Sequence, residues 1–208
     1  NPEEGVFRDG LFLHPGLGFA LAFPPKWQTQ NTRQAVAAAS PRRDAVIVFE
    51  GQGRTENPQT AAQRWTQANR VQVVESASTH IGGWPAFRAL ARAQGKQGII
   101  ALDVTWIAHP KGTYRLTAMT SPSAYRNWAP TFERVAGSFR AISAEERASA
   151  KPLRLRVASA RAGETLADLD RRSGNRWKVP ETAVANGIAE DARLQAGQLV
   201  KIALESRS

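Results

Sequence analysis

Val71-Gln72-Val73-Val74 opens the stretch whose reading decides the fold. From there to Met119, apolar and polar residues recur with period two, the repeat of β-strands. Gly82-Gly83, Gly95-Lys96-Gln97-Gly98 and His109-Pro110-Lys111-Gly112 interrupt the pattern. Glycine and proline at such spacing mark tight turns. Strands are therefore predicted over 71–80, 84–94, 98–108 and 112–119, joined as an antiparallel β-meander.

Upstream, Asn57-Pro58 pairs an N-cap residue with proline at the first helical position. Ala61, Ala62, Trp65 and Ala68 follow at three- and four-residue spacing, which predicts a helix ending near Asn69. Ala35–Ser40 and Ala45–Glu50 read as short strands around a hairpin turn at Pro41-Arg42-Arg43-Asp44. Earlier still, Phe12-Leu13 and the run from Gly18 to Phe23 read as strand, ended by Pro24-Pro25, with Trp27 at one end of the core. Residues 1–10 read as a polar linker. Downstream, Pro122 opens a second helix with Tyr125, Trp128, Phe132, Val135 and Phe139 on one face. Such a helix can cover one face of the sheet, and the class is α+β.

Ser143 to Pro152 is polar and alanine-rich, and Ser143 with Glu146 fits a capping box, so a short helical linker is predicted. The pattern then restarts as strand 153–159, helix 165–172, helix 179–186 and strand 199–204. The predicted organisation is a linker over 1–10, an antiparallel sheet packed by helices over 11–148, and a small βααβ domain over 149–208.

Composition narrows the function. Of 208 residues, 42% are apolar and 22% charged, a globular balance. No apolar run approaches the ~18–20 residues of a spanning helix, so no membrane span is expected. Zero cysteines exclude disulfides, thiolate metal sites and cysteine nucleophiles. The net charge of +10 is spread over both parts, +6 in residues 1–150 and +4 in 151–208. With no basic run or aromatic-interleaved motif, a nucleic-acid partner is not expected. A diffuse basic surface suits loose attraction to anionic polymers instead. The opening Asn1-Pro2-Glu3-Glu4 is not a signal peptide, so the chain reads as a fragment or a mature form.

Catalytic signatures are missing. His14, His80 and His109 are far apart, read as surface or turn-capping imidazoles, and no HExxH occurs. Asp103 shares a strand face with Ala101 and Thr105, opposite Leu102, Val104 and Trp106, and reads as solvent-facing. Glu75 and Glu133 lack a second carboxylate for acid–base work. No serine has a GxSxG context, and Gly51-Gln52-Gly53 reads as a turn. Trp27, Trp65, Trp84, Trp106 and Trp128 fall at core positions. Trp177 differs, lying in a polar stretch where it could stack on a sugar.

Residues Arg161-Ala162-Gly163-Glu164-Thr165-Leu166-Ala167-Asp168-Leu169 resemble the opening of a LysM module. In that reading Gly163 permits the tight turn and Thr165 caps the first helix. Ala185-Asn186-Gly187-Ile188 is similar to the family's Asn-Gly-Leu/Ile at the end of the second helix, and Leu194 to Ile202 to its closing strand. Ser173–Lys178 departs from the family, replacing a shorter link between the helices. The resemblance implies binding of N-acetylglucosamine glycans, in bacteria usually peptidoglycan, between the loops Ala162–Thr165 and Gly187–Glu190. The implied glycan-binding residues are Ala162, Gly163, Glu164, Thr165, Trp177, Asn186, Gly187 and Ile188.

A second resemblance lies upstream. Leu17-Gly18-Phe19-Ala20-Leu21-Ala22-Phe23-Pro24-Pro25-Lys26-Trp27 is similar to the opening of PsbP/Mog1-like α/β domains. The whole chain, including Phe12-Leu13-His14-Pro15, Asp103-Val104-Thr105-Trp106-Ile107 and Ala183-Val184-Ala185-Asn186-Gly187, resembles the region after the protease domain in bacterial HtpX/BepA-like zinc metalloproteases. That implies a non-catalytic region in the periplasm or cell envelope of a Gram-negative bacterium, placing a protease at peptidoglycan or at protein substrates. No cofactor is implied for this chain, since zinc would belong to the parent's protease domain. Implied partners are the glycan, the parent protease domain or envelope proteins. The competing expectations are a protein-interaction or structural module whose LysM-like part binds no glycan, and a self-contained enzyme using Asp103 or the histidines.

Overall fold

The computed structural model describes residues 5–8, 10–32, 34–150 and 153–205. Residues 1–4 and Asp9 of the predicted linker, and Lys151-Pro152 of the second, lie outside them. In chain order the elements are β1 (Val6–Arg8), β2 (Leu11–His14), β3 (Phe19–Ala22), β4 (Gln28–Asn31), β5 (Ala35–Ala39), β6 (Ala45–Gly51), α1 (Pro58–Ala68), β7 (Gln72–Ile81), β8 (Trp84–Gly95), β9 (Gly98–His109), β10 (Gly112–Thr120), α2 (Tyr125–Gly137), β11 (Arg140–Ala141), α3 (Ala144–Ser149), β12 (Leu153–Ser159), α4 (Leu166–Ser173), α5 (Val179–Asn186) and β13 (Leu199–Glu205). The chain divides into two compact units, 1–150 and 151–208.

The first unit is α+β, with antiparallel sheets. Strands β7 to β10 pair in succession as a meander. Strand β10 then pairs with β6, extending the sheet to seven strands in the order β4-β5-β6-β10-β9-β8-β7. Four short strands form a second sheet, β1-β2-β3-β11. Period two sorts β9 onto two faces. Leu102, Val104 and Trp106 pack with Ala61 and Ala62 of α1. Ile107, on the other face, joins Phe132, Val135 and Ala136 of α2 and Phe19 and Leu21 of β3. The central strands are therefore covered on both faces.

Local chemistry explains the helix ends. The Asn57 side chain accepts from the N–H groups of Gln59 (2.9 Å) and Thr60 (3.1 Å), satisfying two of the helix's orphan donors. The capping box at Ser143 and Glu146 starts α3.

Three strands escape the sequence pattern, the two-residue β11 beside β3 among them. Val6–Arg8 lies in the predicted linker yet pairs with β2, because Phe7 packs against Phe12 and Phe23 at centroid distances of 5.3 and 5.8 Å. A two-residue apolar signal is too short to register as a period. Gln28-Thr29-Gln30-Asn31 is wholly polar, and forms β4 at the edge of the large sheet through backbone pairing with β5.

In the second unit β12 and β13 pair antiparallel, with α4 and α5 between them in sequence. Leu166 and Leu169 of α4 pack with Ala183 of α5, Leu194, and Val200 and Ile202 of β13.

Trp106 is fully buried, with its ring 5.7 Å from that of Trp65. Trp106→Ala is expected to destabilise the first unit by about 3–5 kcal/mol, as truncation of a buried aromatic does. Urea unfolding followed by circular dichroism measures it, and an unchanged midpoint would contradict the packing described.

Candidate functional site

The loop before α4 is built by reciprocal backbone bonds with the segment before β13. Gly163 N–H donates to Leu194 O (2.9 Å) and Leu194 N–H to Glu164 O (2.8 Å). Gly163 holds φ +73°, a left-handed conformation that glycine adopts without strain. At the end of α5, Gly187 (φ +63°) is the left-handed C-cap, and Ile188 N–H returns to Ala183 O (3.0 Å). Ile188 packs on the same small core as Leu166 and Leu194. The loop 162–165 and the turn 187–190 are thus anchored on one shared apolar cluster.

The polar side chains there are already engaged. Glu164 accepts from Arg172 Nε (2.7 Å) and Nη2 (2.9 Å), and from the Arg161 N–H (2.9 Å). Those donors, Arg172 first, hold its carboxyl well below the usual carboxylate range, at about 2. Thr165 Oγ1 accepts from Asp168 N–H (3.2 Å) and donates to the Asp168 carboxylate (2.6 Å), closing a capping box. Asn186 is spent on β13: its Oδ1 accepts from Lys201 N–H (2.7 Å) and its Nδ2 donates to Lys201 O (2.9 Å). Ala162, Gly163 and Gly187 remain exposed and Ile188 half-exposed. The side chains of Glu164, Thr165 and Asn186 thus shape these loops.

Trp177 lies at the opposite end of α5 from Gly187. It precedes α5 while Gly187 follows it, and eight helical residues rise about 12 Å. Trp177 is half-buried, and its N–H donates to Asn175 Oδ1 (3.2 Å). Asn175 belongs to a buried polar knot that the sequence reading missed. Its Nδ2 donates to Asp170 Oδ1 (2.6 Å) and Thr182 Oγ1 (2.8 Å), and its Oδ1 accepts from Ala203 N–H (2.8 Å). The available signal was Asp170, which shares a helical face with Leu166 and Leu169.

In the first unit Asp103 requires a correction. It is only 3% exposed, because α2 covers the face that alternation assigns to solvent. Arg88 donates to it through Nε (2.8 Å) and Nη2 (2.6 Å), and Tyr125 OH donates at 3.2 Å. Burial, then the Asp103 charge, pushes the Tyr125 hydroxyl up to about 12. Every polar atom of this carboxylate faces a donor, an arrangement that fixes α2 on the sheet.

His109 is also buried rather than superficial, and its Nδ1 accepts from Lys111 N–H (3.2 Å) in the turn it caps. Burial, and secondarily Lys111, lowers its pKa. His14 Nδ1 accepts from Leu17 N–H (3.2 Å), and His80 is exposed. Among the described residues, no group of three or more histidine, aspartate or glutamate side chains could hold a metal ion. A cleft of about 340 Å³ in this unit is lined by Phe12, Phe19, Phe49 and Tyr114 together with Glu50. Glu50 is held by Arg115 and by Gln52 Nε2 (3.1 Å).

No protein-family model matches the sequence, and no curated protein matches it. Similarity appears among solved structures. Cyanobacterial PsbP (CyanoP) from Synechocystis sp. PCC 6803 matches with a TM-score of 0.53 at 12% identity, over 66% of this chain and 96% of that one. LpqN from Mycobacterium tuberculosis, a protein involved in cell envelope biogenesis, matches at 0.43 with 12% identity, over 60% and 83%. A Pseudomonas aeruginosa protein of unknown function matches at 0.44 with 18% identity, over 65% and 94%. The likeness to CyanoP gives about two thirds of the chain a PsbP-like fold. At these identities it speaks for fold alone.

Asp103→Asn removes the bidentate carboxylate from Arg88, leaving it only the exposed Glu133 carboxylate at 3.6 Å, and is expected to cost about 1–3 kcal/mol of stability. The double variant Arg88→Met/Asp103→Leu should recover much of that loss in the same unfolding assay. For the second unit, a carboxyl depressed from 4.5 to about 2 stabilises the fold above pH 4.5. That contribution fades as pH falls from 4.5 towards 2, and Glu164→Gln should flatten this part of the pH–stability profile.

Proposed function

We propose that this chain is a non-catalytic accessory region of a cell-envelope protein, and that its second unit is a LysM-like module holding an N-acetylglucosamine glycan, above all peptidoglycan. The observation that carries this reading is the anchoring of loop 162–165 and turn 187–190 on the Ile188–Leu194 cluster. Both segments present small residues, Ala162, Gly163, Gly187 and Ala189, whose peptide groups a flat N-acetylated sugar can approach. Such a groove would recognise acetamido groups through shape and the few main-chain groups left open there, since Glu164, Thr165 and Asn186 side chains and the Gly163, Gly187 and Ile188 N–H groups are engaged within the fold. Basic charge in both units adds a salt-sensitive attraction to anionic wall polymers. In the longer parent, an HtpX/BepA-like zinc metalloprotease of the periplasm, this region would set where cleavage occurs, with zinc confined to the protease domain.

A second reading, an interaction module that binds no glycan, draws on Trp177 lying at the far end of α5 from turn 187–190. Titration with chitin tetraose while following backbone amide resonances separates the two. Glycan binding predicts shifts at 162–165 and 187–190 that persist at about 0.3–0.5 M NaCl, where screening shortens electrostatic reach to several Å. Ala162→Phe, placed on an exposed side chain, should weaken those shifts without altering the fold. Absence of shifts at millimolar tetraose would defeat the glycan reading.

A further inference from the structure

The two edges of the β12–β13 ribbon are finished differently. On the outer edge of β13, Lys201 N–H and C=O are both bonded by the Asn186 amide (2.7 and 2.9 Å). Two residues on, Ala203 N–H donates to Asn175 Oδ1 (2.8 Å) and Ala203 O accepts from Arg176 N–H (2.8 Å). These bonds establish that Lys201 and Ala203 point their peptide groups away from β12. In an antiparallel pair, the residues opposite them must point outward too. The register places Val157 opposite Lys201 and Leu155 opposite Ala203. Ser159, opposite Leu199, follows the same alternation, and its carbonyl accepts from Arg172 Nη2 (3.0 Å). Leu155 and Val157 have no such cap among the described residues. Their peptide donors and acceptors form an open strand edge.

The side chains along that edge carry two different properties. Leu155 and Val157 are 62% and 60% exposed, with Leu199 at 71% on the same face of the ribbon. Arg154 and Arg156, exposed on the alternate positions, make no ion pair among the described residues. Proteins protect open edges with charge, and arginines serve that purpose. Protection alone does not account for large apolar side chains left in water beside the open peptide groups.

We infer that the outer edge of β12 is a docking site for an extended peptide segment of alternating apolar and acidic residues, added as a third strand. Its apolar side chains would lie beside Leu155 and Val157, its carboxylates beside Arg154 and Arg156, and its backbone would bond the free groups of Leu155 and Val157. A second copy of this chain fits poorly. The antiparallel self-pairings that use Leu155 and Val157 without the occupied Ser159 carbonyl set Arg156 against its own copy or Arg154 against Arg156. Like charges directly opposite are unfavourable. This site is separate from the glycan loops and stands whether or not they bind sugar.

The test uses the whole chain, isotopically labelled, with the capped peptide Ac-Ser-Val-Glu-Val-Glu-Val-Ser-NH2 and its counterpart carrying lysine for glutamate. The acidic peptide is expected to shift the Leu155 and Val157 amide protons downfield and slow their exchange. The lysine peptide should bind about tenfold more weakly, as two cross-strand attractions become repulsions. Arg154→Glu/Arg156→Glu, on exposed side chains, should reverse the preference between the two peptides. The inference is overturned if the acidic peptide leaves these amides unmoved at millimolar concentration, or if both peptides bind alike. Concentration-dependent dimerisation that protects Leu155 and Val157 without peptide would overturn it in favour of self-pairing. Chitin tetraose moving these same amides would overturn it in favour of a glycan surface.

Discussion

The carboxylate of Asp103 lies beneath α2 with Arg88 across one side and the Tyr125 hydroxyl on another. Burying a carboxylate is costly unless its lone pairs are met, and here a bidentate guanidinium and a phenol meet them. The geometry demands that β8, β9 and α2 hold one register, because Arg88 comes from β8 and Tyr125 from the start of α2. On the opposite face of the same strand, Trp106 must be met by α1. A central strand covered on both faces leaves little freedom elsewhere. The helix that buries Asp103 also brings Phe132 and Val135 onto the core that β3 shares, and so ties the small sheet to the large one.

The second unit solves a different problem with a smaller core. A two-stranded ribbon has two edges and cannot satisfy both from within. Asn175 and Asn186 act as surrogate strand residues, presenting side-chain amides where a third strand would present peptide groups. Asn175 is itself held by Asp170 and Thr182, so the cap on β13 is part of the buried network between α4 and α5. The departure from the LysM pattern at Ser173–Lys178 is where this device enters. Gly174, at φ +70°, ends α4 and turns the chain so that Asn175 can reach β13.

Period and punctuation made most elements legible. The meander, α1 with its Asn57 cap, α3 with its capping box, and the strand–helix–helix–strand order after Lys151 follow from spacing and cap chemistry. What spacing could not say is what lies over each face. Alternation separated Asp103 from Trp106 correctly, but α2 covers the side that polarity alone assigns to water. Likewise β4 is polar throughout and exists because β5 offers an unpaired edge, a non-local cause absent from its own residues. At the candidate groove, the glycine conformations were readable from Gly163 and Gly187. The commitments of Glu164 to Arg172 and of Asn186 to Lys201 were not, because each depends on a partner brought near only by the fold.

Those commitments bear on how either surface of the second unit can recognise anything. A groove at these loops, as proposed, would discriminate through shape and the main-chain groups left open, since its named polar side chains are occupied. An open strand edge obeys the same rule, since it offers alternating N–H and C=O groups at fixed spacing. The β12 edge presents peptide dipoles flanked by the charged side chains of Arg154 and Arg156, whereas the loops spend many of their peptide groups internally, as Gly163 N–H does on Leu194 O. Specificity must then come from what surrounds the dipoles: glycine-permitted close approach at the loops, and the arginine–leucine alternation along β12. Rigidity matters in such sites, because a main-chain donor cannot be re-aimed by a rotamer. The Asp170–Asn175–Thr182 knot and the Glu164–Arg172 pair supply that rigidity.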